Sequence, residues 1–250
     1  MTEKIDKYKV QAALVRSFFD AFSHGVIESQ VEDRKEKTTP QSVKKLMLEH
    51  YEHIAPAFFD IMFFPLAAMN YKYEDIAALA REAQQRGDDM MALVRTACGD
   101  EAYYNAMVEE YKRNFSMLLA GKYLSNADHL EGYVRKAEAE TEASVDSDRA
   151  IELTVRVVMF AYVRGLSQTG EGARFDRSAH LRQVHPLRGA TLFRLMLDAM
   201  NVLLLDEAVD FADVEEADLA SLFLKVCQTQ HNFTVMTNEM DRTYFELMKE

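Results

Sequence analysis

Two imidazoles and two carboxylates stand within five residues at Glu49-His50-Tyr51-Glu52-His53, and on a helix such groups three or four positions apart can share one metal ion. Helical di-iron sites take a Glu-x-x-His step from each of two helices. Here Glu49 and His53 are four apart and no second segment repeats the step, so the ligands fall short and no metal site is expected. His50 lies on the apolar side of its helix and reads equally well as a hydrogen-bonded core histidine. Asp60 is the single charged residue in the apolar run Ile54–Met69. A carboxylate there must be paired, lose its charge, or sit at a turn or helix end.

A third set lies on two strongly apolar segments. Glu152 and Arg156 are the polar minority of one, while Thr191, Arg194, Asp198 and Asn201 step by three, four and three along the other. Facing inward, these lines would form a polar network whose guanidinium groups hold a carboxylate or phosphate in two-pronged fashion. With His50 and Asp60, the residues Arg156, Arg194 and Asp198 would then line an internal ligand pocket. Facing water, they are ordinary ion pairs one turn apart, each contributing roughly 0.2–0.5 kcal/mol.

The fourth set is the segment around 169–188, where Arg174, Arg177, Arg182, His180 and His185 gather in an otherwise acidic chain. An anion or an acidic partner segment could dock there, with the histidines making docking sensitive to pH. A solvated loop neutralising nearby acidic helix ends is the plainer reading. Its TGEG lacks the Lys-Ser/Thr of a phosphate loop. The Asp206–Asp210 run lacks the second half of an aspartate-rich magnesium motif, and Ser178 with His180 lacks a nucleophile elbow. No reaction and no cofactor is specified.

These residues need elements to hold them, and the hydrophobic spacing supplies helices. Ile5, Tyr8, Ala12, Val15, Phe19 and Phe22 alternate in steps of three and four, which marks a first helix ending at His24-Gly25. Residues 26–38 carry seven charges and read as a connector or short polar helix. Thr39-Pro40 opens the next helix, with Val43, Leu46, Met47, His50, Ile54, Ala57 and Phe58 inward and with Pro56 and Pro65 interrupting or kinking it. Further helices are expected at about 73–86, 88–97, 101–119 and 126–143, broken near Gly87, Gly99 and Ser125-Asn126. The segments 150–166 and 187–205 are apolar almost all round and should be innermost. From Leu219 through Phe223, Val226, Gln230, Phe233, Thr237, Met240, Tyr244 and Leu247, four-three spacing predicts one long terminal helix packed on another, in this chain or in a second copy.

The expected fold is therefore all-α, a multi-helix bundle in a single domain over 1–250, with a possible sub-division near 121–126. Nine glycines and four prolines are too few for a many-stranded β fold, and no repeat appears at solenoid periods. A formal charge of −12 makes nucleic acid a poor partner. The run Ile54–Met69 is too short, and too interrupted by Pro and Asp, to be expected to cross a membrane. Two isolated cysteines without a CxxC pair point to reduced thiols in the cytoplasm, and the N-terminal residues lack the pattern of a secretion signal. The leading functional expectation is a cytoplasmic interaction or regulatory protein that binds a protein partner or a small anionic ligand and that can pair as a homodimer through its terminal helices. A helical ligand-binding protein or enzyme with the internal His/Asp/Arg pocket is the alternative.

Overall fold

A computed structural model describes residues 3–31, 40–120, 143–167, 190–205 and 219–249. The described elements run β1 (Lys4–Asp6), α1 (Lys7–Val31), α2 (Pro40–Glu49), α3 (Tyr51–Asn70), α4 (Tyr73–Arg86), α5 (Met90–Ala97), α6 (Glu101–Leu119), β2 (Ser144–Asp146), α7 (Ser147–Leu166), α8 (Ala190–Leu204), α9 (Leu219–Cys227) and α10 (Gln230–Leu247). This is an all-α bundle carrying one small strand pair.

The two helices at the centre are α1 and α7, and each grows directly out of a strand. The strands pair antiparallel with Ile5 opposite Val145, Lys4 opposite Asp146 and Asp6 opposite Ser144. Asp6 also caps α1, its carboxylate accepting the N–H groups of Tyr8 and Lys9 at 2.9 and 3.0 Å, which satisfies donors a helix start leaves open. Further along, the two helices cross at glycines. A Cβ on Gly25 would sit 2.1 Å from the Tyr162 carbonyl oxygen, and one on Gly165 would sit 2.2 Å from that of Phe22. Such a backbone approach admits no side chain.

That crossing corrects the reading of Gly25 as a helix stop: α1 continues to Val31, because Gly25 serves a tertiary contact and keeps an ordinary helical φ. The apolar segment 150–166 and the described part of the segment 187–205, from residue 190 on, do lie in the core, with fourteen of the twenty residues of α7 buried and Leu192, Leu195, Met196, Met200 and Leu203 of α8 at 3% exposure or less. α1 joins them, buried almost without break from Val10 to Val26. Around this centre α6 packs on α1, α10 on α7, α8 on both, and α3 on α5 and α7.

Pro56 and Pro65 lie inside a continuous α3, so neither interrupts it; the interruption comes earlier, at His50, which separates α2 from α3. α3 is the one described helix long and apolar enough to cross a membrane, and its inner face (Ile54, Ala57, Phe58, Met62, Leu66, Ala67) is buried in the core. The terminal heptad run is two helices: Gln228 takes a left-handed φ of 61° and Thr229 caps α10 by accepting the Asn232 N–H. The break resets the register, leaving Gln230 exposed while Asn232, Met236, Glu239, Met240, Thr243, Tyr244 and Leu247 turn inward. The partner of that face is α7 of the same chain. The helix expected at 126–143 falls outside the described residues, except that its last residue precedes β2.

Candidate functional site

One edge of α1 carries Arg16, Asp20, His24 and Glu28 at steps of four, which stacks them turn above turn. Arg16 is only 9% exposed. The His24 ring Nδ1 lies 2.9 Å from the Asp20 carbonyl oxygen and 3.4 Å from its carboxylate. Burial alone would lower the His24 pKa, but the hydrogen bonds and charge of Asp20, with Glu28 behind it, lift it to about 9; the imidazole is a cation at neutral pH. Glu28 accepts the Tyr162 hydroxyl of α7.

Facing this edge is α8, with Arg194 and Asp198 one turn apart. Asp198 feels Asp20, Arg16, His24 and Arg194 at once. Burial first, and then the negative charge of Asp20, raise its carboxyl to about 7 against the opposing pull of the three cations. The α1/α8 seam thus sets two guanidinium groups and an imidazolium against three carboxylates, Asp20, Glu28 and Asp198, the last of which changes charge near neutrality. Among the described residues no cluster of His, Cys, Asp or Glu is arranged to hold a metal ion.

A second charged centre lies between α7 and α10. Arg156 donates to both carboxylate oxygens of Glu246 at 2.9 Å and, more loosely, to Glu239 at 3.4 Å. Glu239, 3% exposed, also receives Arg242 at 2.8 Å and the Thr243 hydroxyl at 3.1 Å. The rings of Phe64 and Phe160 cover the Arg156 guanidinium at 5.6 and 5.3 Å. Every charge in this centre is matched, so it reads as structural.

Of the five residues expected to share a pocket, Arg194 and Asp198 come together at the α1/α8 seam. Arg156 instead finds its partners on α10. His50 sits at the α2–α3 junction, its pKa lowered by partial burial and by His53, whose ring is 6.3 Å away. Asp60 is on the exposed side of α3 in the middle of the helix, neither at the turn or helix end considered for it nor in a pocket. The residues Arg174, Arg177, His180, Arg182 and His185 lie outside the described residues. Sequence reading missed Arg16, Asp20, Glu239 and Glu246 as site residues and saw His24 only as a helix end. The signal present was the four-residue stepping Arg16, Asp20, His24, Glu28 on an otherwise apolar helix.

No family model, no curated protein and no solved structure matches this chain.

Proposed function

We propose that the chain is a helical binding protein of the interaction or regulatory kind, which receives a small anionic ligand, or the acidic segment of a partner, at the α1/α8 seam. The observation that supports this reading is the convergence of Arg16, His24 and Arg194 on Asp198, whose carboxyl titrates near neutrality. With Asp198 protonated, three cationic groups face the two carboxylates of Asp20 and Glu28, which leaves a net positive charge at the seam on a chain of net charge −12. With Asp198 ionised, its own carboxylate competes with any incoming anion for the same guanidinium groups. Anion binding would therefore strengthen as pH falls through 7. Two buried, unpaired thiols support a cytoplasmic setting.

The test is thermal unfolding with inorganic phosphate or succinate, each against sodium chloride of equal ionic strength, at about pH 6 and pH 8. A ligand at roughly a hundredfold above its Kd stabilises by about 2.7 kcal/mol. We expect a rise in Tm that is larger at the lower pH and lost in Arg194→Ala. If neither anion raises Tm beyond the chloride control at either pH, the small-anion form of the proposal fails.

A further inference from the structure

We infer that the chain is two copies of one helical unit joined in tandem and folded against each other as an internal dimer. In a two-fold dimer the interface is self-complementary: if residue i touches j′, then j touches i′. The centre of this molecule obeys that rule with residue n of the first copy equivalent to residue n + 140 of the second. Lys4 pairs with Asp146 and Asp6 with Ser144 about the central Ile5–Val145 pair. The Lys7 N–H donates to the Ala143 carbonyl, and the Ser147 N–H to that of Glu3. Gly25 abuts Tyr162 O and Leu166 N, while Gly165 abuts Phe22 O and Val26 N. Each contact is the image of its partner, atom for atom.

The sequence carries the same relation. At that spacing Asp6, Val15, Arg16, Ala21 and Gly25 meet Asp146, Val155, Arg156, Ala161 and Gly165, and Phe22 meets Tyr162. The last two helices of each copy correspond at a spacing of 129, as Cys98 to Cys227. After each buried cysteine comes a left-handed residue, Gly99 at φ 80° and Gln228 at 61°. Next comes a capping residue, Asp100 or Thr229, that accepts the N–H three positions on. Glu110 with Arg113 then matches Glu239 with Arg242, the same ion pair at the same turn. The packing agrees, since α6 lies on α1 as α10 lies on α7. A chance resemblance of two helical hairpins does not reproduce a strand register, a glycine crossing and a cap together.

This gives the two charged centres a common origin, independently of any ligand. Arg16 and Arg156 are the same position. In the second copy Glu246 and Phe160 close over that arginine; in the first copy those places hold Met117 and Asp20. One twin has become a sealed structural centre, and the other keeps groups that titrate. It also means that the two-fold contact a homodimer would make through α1 and α7 is already made inside one chain.

The test is a circular permutant of the full chain: residues 143–250, then 120–142 as linker, then 1–119. If the copies are equivalent, the segment that joins Leu119 to Ala143 must also span Met248 to Glu3. We expect the permutant to melt cooperatively with parental helicity, within about 5 °C of the parent; a permutant that stays unfolded counts against the equivalence. In parallel, Gly25→Ala and Gly165→Ala in the unpermuted chain should lower Tm by similar amounts, and together by less than the two losses combined, because the first methyl already parts the backbones. One glycine variant indifferent and the other unfolded would overturn the inference.

Discussion

Replacing Asp198 with asparagine should flatten the fall of stability as pH rises from about 4 to 7. In the unfolded chain this carboxyl titrates at about 3.9; in the folded chain burial and the charge of Asp20 hold it at about 7. Below the lower value both states carry the proton and nothing is gained or lost. Above it the unfolded state sheds its proton first, so unfolding becomes progressively easier until the folded carboxyl also ionises. A gap of about three pH units corresponds to at most about 4 kcal/mol. Solvent reaching this partly exposed seam reduces the effect, and about 2–4 kcal/mol is the expected range. For a chain of this size that is roughly 5–15 °C in Tm. His24 acts with the same sign at higher pH: the stability from its raised pKa is full below about 6.5 and lost as pH rises through 9. Because other carboxylates shape both proteins alike, the readout is the difference between the two Tm profiles by circular dichroism. The variant should match the parent near pH 4, scaled by a constant offset, and rise above it towards pH 8. Parallel profiles across the whole range would refute the assignment of Asp198 as the titrating group.

Glu239→Ala leaves Arg156 and Arg242 without their shared buried carboxylate, though Glu246 still holds Arg156; a loss of about 3 kcal/mol in urea unfolding is expected, and a loss under 1 would mean the centre contributes little. Phe223→Ala empties a fully buried site whose ring lies 4.1 Å from that of Phe193, at a cost of about 3–5 kcal/mol by the same assay. Gln228→Gly should stabilise by about 0.5–1 kcal/mol, since glycine takes the left-handed φ without strain; a lower Tm would show that the Gln228 bond to the Leu204 carbonyl matters more. Burial pushes the thiols of Cys98 and Cys227 up to about 12, so a thiol reagent at neutral pH should label them only as fast as the chain opens. Immediate labelling of either in the native protein would contradict its burial.

Much of the helical layout was legible because local chemistry set it. Gly87 and Gly99 end helices in the left-handed conformation, and Asp89 and Asp100 start the next ones by accepting backbone N–H groups, so the bounds of α4 to α6 followed closely from composition. Gly25 shows where such reading stops. It is the same residue type in the same kind of context, but its reason is a backbone on another helix, invisible to a local rule. Gln228 fails in the opposite direction, breaking a helix without a glycine to announce it. The three-residue strands needed partners 140 positions away. Within the site, the spacing of Arg194 and Asp198 was visible, but the direction they face depends on α1 lying opposite. Glu239 was passed over because an acidic residue beside a heptad run reads as surface until an arginine from α7 is placed on it.

The clasp between the first strand and the second has a cost in time. α1 presents apolar side chains from Val10 to Val26, and the helix that covers them is complete only when residue 166 has been made. At ribosomal rates of about 5–20 residues per second, roughly 7–28 s separate the emergence of the two. For that interval the newborn first half exposes a hydrophobic face whose intended cover does not yet exist. The same face on a neighbouring nascent chain is its nearest substitute, so crowded synthesis favours exchange of halves between molecules.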